Sequence, residues 1–143
     1  MPINLANFNN ETNVSILELG MNKRGEIKKM SNICKPDIGL ITKISNAHIG
    51  NFNSLKDIAL AKSEIFFGMS KLGTAIINKN GPYYSLLQKI LKNLGIKNII
   101  TFGVSKNCDI KLINFKYKNE NSCKVFLKVF GKKIDFYLNN LGD

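Results

Sequence analysis

Residues 14–19 (VSILEL) form a β-branched and aliphatic run closing on Gly20, a pattern that predicts a buried strand. Ile27, Met30 and Ile33 then recur at helical spacing from Gly25 until Pro36, which cannot continue a helix. Residues 37–44 (DIGLITKI) read as a second strand, followed by the loop SNAHIGNFN. Ser54, with Asp57 three residues on, opens a helix expected to run through LKDIALAKSEIFFGM. Its apolar face would be Leu55, Ile58, Ala59, Ile65, Phe66 and Met69. Residues 72–78 predict a third strand, residues 82–94 an amphipathic helix ended by Gly95, and residues 98–102 a fourth strand.

This alternation predicts an α/β fold with a mainly parallel, Rossmann-like sheet covered by helices on both faces. After Gly103 the period changes. DIKLINFKY, SCKVFLKVF and KKIDFYL alternate apolar and polar positions, which predicts antiparallel strands toward the C-terminus with one wet face. No internal repeat or linker interrupts the 143 residues, so a single domain over 1–143 is expected.

The formal charge of +11 raises the question of nucleic acid, since clustered cations gain affinity by releasing counterions from phosphates. Lysines spread along the whole chain carry nearly all of it, and Arg24 is the only arginine. Guanidinium forks and interleaved exposed aromatics, the usual readers of bases, are expected to be missing. The charge would still attract an anionic nucleotide. Cys34, Cys108 and Cys123 are odd in number and far apart, which favours reduced structural thiols over a disulfide framework or zinc knuckle. No stretch is apolar for the ~18 residues of a membrane helix, and MPINLANFNNE lacks the layout of a signal peptide. A cytoplasmic protein without membrane insertion is the expectation.

Candidate chemistry starts at ELGMNKRGEI, residues 18–27. Gly20 and Gly25 have the outer spacing of a phosphate-cradling loop, but Glu26 stands where that loop needs Lys. Open α/β sheets bind ligands beyond the carboxyl ends of their strands, which singles out Glu18 and, in the loop after the second strand, His48. Each alone is most simply a solvated or structural group. Lys62 falls within the apolar stripe of its helix, three or four residues from Ile58, Ala59, Ile65 and Phe66. Such an amine either snorkels to the rim or, desolvated, becomes a nucleophile, for instance toward carbon dioxide.

Taken together, NFNNE at 7–11, ELGMNKRGEI at 18–27, PDIGLIT and NAHIGNF at 36–52, and IALAKSEIFFGM at 58–69 resemble the central domain of the Mur ligases. The resemblance continues through GTAIINKNGPYY and ITFG to residue 103, and within the family it is to the branch that adds D-alanyl-D-alanine. It implies an ATP-dependent ligase of peptidoglycan synthesis. A UDP-linked muramoyl peptide would be activated as an acyl phosphate and attacked by the amine of D-alanyl-D-alanine. The cofactors implied are ATP and Mg2+. By the same resemblance Glu18 and His48 would be metal ligands, and Lys62 a carbamylated catalytic lysine whose oxygens position a magnesium ion. Asn78, in NKNGP, would lie near the nucleotide, and Asn9 and Asn10 near the substrate.

The departures from the family pattern carry their own expectation. No glycine-rich loop with Lys-Thr or Lys-Ser is present, residues 11–14 look shortened, and Lys43 replaces a usual asparagine. The expected organisation is therefore an incomplete central domain, without the N-terminal substrate domain, phosphate loop and C-terminal domain. Alone it would be inactive, or it would be complemented by separately encoded ligase pieces. The alternative is a basic, non-enzymatic module binding nucleic acid or a partner, and a third reading is a structural role.

Overall fold

The computed structural model describes residues 11–45 and 52–139. Helix α1 (Glu26–Cys34) starts after Gly25 and stops where Lys35 turns left-handed, directly ahead of the expected barrier at Pro36. Strand β1 (Ile38–Ile41) follows. Helix α2 (Leu55–Ser63) opens as its sequence predicts: the Ser54 hydroxyl accepts from the Asp57 amide at 3.1 Å and donates to its carboxylate at 2.7 Å.

The expected continuation of that helix to Met69 does not form. From Glu64 to Gly68 the chain tightens into a 3-10 turn. Ser31 of α1 is the physical cause, because its hydroxyl accepts the Gly68 amide (3.0 Å) and donates to the Ile65 carbonyl (2.5 Å). Those groups are thereby diverted from the i→i−4 ladder. Strand β2 (Thr74–Asn78), helix α3 (Tyr84–Leu94) and strand β3 (Asn98–Gly103) complete the alternating part, and Gly95 ends α3 in a left-handed cap.

Strands β1, β2 and β3 pair in parallel, in chain order. Strands β4 (Ile110–Asn119), β5 (Ser122–Val129) and β6 (Lys132–Asn139) extend the same sheet as an antiparallel meander. The fold class is thus the expected one, a mixed α/β sheet of six strands. The join between its halves is narrow, since β3 and β4 pair in parallel at only Phe102–Ile110 and Gly103–Lys111.

Ile41, Ala75 and Ile77 of the sheet pack with Phe66, Leu87, Leu91 and Ile96 in the main core. A second cluster joins Met21, Ile27, Phe52, Ile58 and Ala61 beneath α1 and α2. Among the described residues, the helices pack on one sheet face rather than the expected two. Among the described residues, Leu40, in register with Ile76 and Ile100 on the opposite face, remains 46% exposed.

The expected strand at 14–19 is also absent. A strand needs a neighbour to pair its backbone, and these residues have none among those described. The segment forms no regular element, with Ile16 95% exposed while Leu19 and Met21 pack into the second cluster. Finally, the expected lack of interleaved aromatics fails on the meander. Strand pairing sets Tyr137 beside Lys124 and Lys116, although these residues are distant in sequence.

Candidate functional site

Beyond the carboxyl ends of β1 and β2 lies a cleft of about 230 Å³, lined by Ile41, Lys43, Asn78, Gly81, Tyr83 and Tyr84 among others. This is the position at which open parallel sheets take ligands. Asn78, the last residue of β2, accepts the Asn80 amide on its side-chain oxygen at 2.9 Å, which bends the chain out of the strand. Asn80 then reaches across to the loop after β3. Its side-chain oxygen accepts from the Val104 and Ser105 amides at 2.8 and 3.3 Å, and its nitrogen donates to the Ser105 hydroxyl. Lys79 donates to the Asn107 carbonyl at 2.6 Å, so one turn fixes the far wall of the rim.

Asp109 closes that loop. Its carboxylate accepts both the amide (2.8 Å) and the hydroxyl (2.7 Å) of Thr101, bonds that hold it below the usual carboxylate range. The Asp109 carbonyl in turn accepts the Phe130 amide at 2.8 Å, which ties the loop to the meander.

Lys62 is half-buried on α2, flanked by the buried Ala61 and Ser63. Its ammonium donates to the Lys43 carbonyl at 2.8 Å, so its tip touches the strand-end segment that lines the cleft. Glu18 is exposed on the irregular segment before α1. Its neighbour Leu19 packs on the cluster that contains Ala61 and is flanked by Ile44, the neighbours of Lys62 and Lys43. Glu18 and Lys62 thus border one apolar cluster. His48, Asn9 and Asn10 lie outside the described residues. Among the described residues, no three His, Cys, Asp or Glu side chains come together as a metal cluster.

Glu64 is a contributor that the sequence reading missed. Only 8% exposed, its carboxylate accepts the Gly25 amide through both oxygens (2.8 and 2.9 Å) and the Lys28 amide (3.1 Å). It caps α1 from 39 residues away, at the terminus where the helix dipole favours an anion. A signal was present, since GEI at 25–27 offers no Ser, Thr, Asp or Asn as an N-cap, so the amides need an outside acceptor. Cys34, Cys108 and Cys123 are unpaired, and burial pushes the Cys34 thiol up. No helix among the described residues is long and apolar enough to cross a membrane.

The sequence matches the Mur ligase middle domain over residues 1–143. The UDP-N-acetylmuramoyl-tripeptide–D-alanyl-D-alanine ligase of Rickettsia prowazekii is 43% identical over 138 residues, which cover 96% of this chain and 28% of that protein. Among solved structures, MurF from Acinetobacter baumannii superimposes with a TM-score of 0.86 at 25% identity, over 97% of this chain and 29% of that one. MurF ligase from Thermotoga maritima, in complex with ADP, shares the fold at a TM-score of 0.71 and 22% identity, over 87% of this chain and 27% of that one. The chain spans about 28% of the length of the first of these relatives. Because all 143 residues match the Mur ligase middle domain and 96% of the chain aligns with this relative at 43% identity, the chain belongs to the Mur ligase family.

Proposed function

We propose that this chain carries the metal-facing rim of an ATP-dependent ligase that joins D-alanyl-D-alanine to a UDP-N-acetylmuramoyl tripeptide. The observation that carries the proposal is the seat of Lys62, whose nitrogen leaves a buried helix face and meets the Lys43 carbonyl beside the strand-end cleft. The names of the relatives supply the substrates.

Magnesium takes oxygen ligands, so an unmodified ammonium at Lys62 opposes it and a carbamate suits it. Carbamate formation needs a neutral amine. The Lys62 nitrogen forms a bond to the carbon of carbon dioxide and loses one proton, leaving an anion with two oxygens. That nitrogen keeps one N–H, so its bond to the Lys43 carbonyl can persist and aim the oxygens away from the strand. Glu18 would add a carboxylate oxygen, with His48 from the following loop. Bound magnesium would offset charge on the transferring phosphoryl group and the acyl phosphate. Asn78 and the Tyr83–Tyr84 wall would receive the nucleotide. The 143 residues contain no G-x-x-G-K-[ST] loop, so contacts to the triphosphate must come from outside them and the isolated chain is expected not to turn over.

Carbon-13 NMR of the chain in labelled bicarbonate with magnesium tests the lysine. We expect one carbamate resonance that disappears in Lys62→Gln, while the circular dichroism spectrum is retained. No such resonance in the parent chain would overturn the assignment. Ligation by the lone chain in the presence of ATP, magnesium, the nucleotide-linked tripeptide and D-alanyl-D-alanine would overturn the expected inactivity.

A further inference from the structure

The face of the meander that carries its lysines is organised beyond what charge alone requires. Cross-strand pairing builds three rows: Lys111, Lys128 and Lys133; then Asn114, Phe126 and Asp135; then Lys116, Lys124 and Tyr137. Lys118 joins this face, its ammonium 5.4 Å from the Tyr137 ring. Six lysines therefore share the surface with one carboxylate, Asp135, which is bound to Lys124 at 2.7 Å. Lys111, Lys116, Lys128 and Lys133 have no ion pair among the described residues. Beside the register shift between Leu112 and Asn114 lies an open groove of about 380 Å³ whose lining includes Ile113, Lys116, Phe126 and Lys133.

Two aromatic rings stand among these cations. Phe126 is half-buried and Tyr137 is 54% exposed, and strand pairing makes them diagonal neighbours on adjacent strands of this face. The Lys124 ammonium sits 5.3 Å from one ring and 5.5 Å from the other, so both ring faces already attract a cation.

We propose that this face binds single-stranded nucleic acid, with bases stacked on Phe126 and Tyr137 and phosphates paired to Lys111, Lys116, Lys128 and Lys133. Two rings on one basic face offer stacking platforms to the unpaired bases of a single strand, whereas a duplex keeps its base faces hidden. An acidic peptide would satisfy the lysines and leave the two rings unused. A base stacking on Tyr137 would displace the Lys118 ammonium toward a phosphate, while Lys124 keeps its ion pair with Asp135. This surface is separate from the strand-end cleft and does not depend on the ligase reading.

The test is fluorescence anisotropy of the 143-residue chain with a labelled thymidine strand of about 20 nucleotides, enough for more than one aromatic site. Inorganic polyphosphate and poly-glutamate serve as competitors. Four phosphate contacts predict a log–log salt slope of about −3, and the pair Lys116→Gln and Lys133→Gln should flatten it by about 1.4. Tyr137→Leu keeps a strand-forming residue at an exposed position and should weaken the oligonucleotide at least about fivefold, with polyphosphate binding unchanged. Unaltered melting temperatures verify folding. The proposal is overturned if the oligonucleotide does not bind, if Tyr137→Leu binds it as the parent does, or if poly-glutamate competes as well as an unlabelled strand.

Discussion

Replacing Glu64 by glutamine tests whether a buried carboxylate fixes the segment that leads from Glu18 into α1. The carboxylate accepts two backbone amides through three contacts of 2.8 to 3.1 Å. Hydrogen bonds to a charged group contribute about 1.5–3 kcal/mol each, and a buried amide left without a partner costs about the same. Glutamine keeps one accepting oxygen but turns an NH2 group toward the second amide, so the expected loss is about 2–3 kcal/mol. Alanine removes both acceptors and leaves a void at a site only 8% exposed, for about 4 kcal/mol. For a chain of this size each kcal/mol moves the melting temperature by about 3 °C, so glutamine should lower it by about 6–9 °C. Urea unfolding followed by circular dichroism, at low and high salt, measures the loss directly. The shift should persist in high salt, because a buried contact is little screened. Glu26→Gln serves as the surface comparison, since that exposed carboxylate accepts the Asn22 amide at 2.7 Å and should move the midpoint less. A Glu64→Gln midpoint within about 0.5 kcal/mol of the parent would refute the reasoning, because no charged cap could then be at work.

Two further perturbations bear on the same framework. Gly68→Ala would set a Cβ against the Ser31 carbonyl and within 2.5 Å of its hydroxyl oxygen, costing about 3 kcal/mol or more of equilibrium stability; an unchanged melting temperature would contradict the close approach of the two segments. Asp109 has a folded pKa below its unfolded value of 3.8, so its contribution is present above about pH 4 and is lost as pH falls through the folded pKa. Asp109→Asn should therefore flatten the acid limb of the stability–pH curve, and an unaltered limb would exclude the Thr101 contacts as its source.

Legibility followed the range of the interactions. The three parallel strands were visible because their apolar runs and short crossovers are local, and Ser54–Asp57 marked the start of α2 for the same reason. Residues 14–19 misled because a strand is defined by its partner, and their own letters carry no information about one. The 3-10 turn at 64–68 was hidden because Ser31, more than thirty residues earlier, captures its backbone groups. Lys62 could be singled out by helical geometry, whereas its contact with the Lys43 carbonyl needed coordinates. The roles proposed for Glu18, His48 and Asn78 rest on family resemblance, since a lone carboxylate, imidazole or amide has no distinctive spacing. The basic aromatic face was invisible because its rows run across strands.

The seam at Phe102–Ile110 and Gly103–Lys111 has a mechanical consequence. With so few ladder bonds crossing it, the helix-backed sheet and the meander are joined largely through the loop that Asp109 ties to Thr101 on one side and to Phe130 on the other. The outer turns of the meander lie on the far side of that join from the strand ends around Asn78 and Lys62, so they are the places where a change of loop length disturbs those strand ends least.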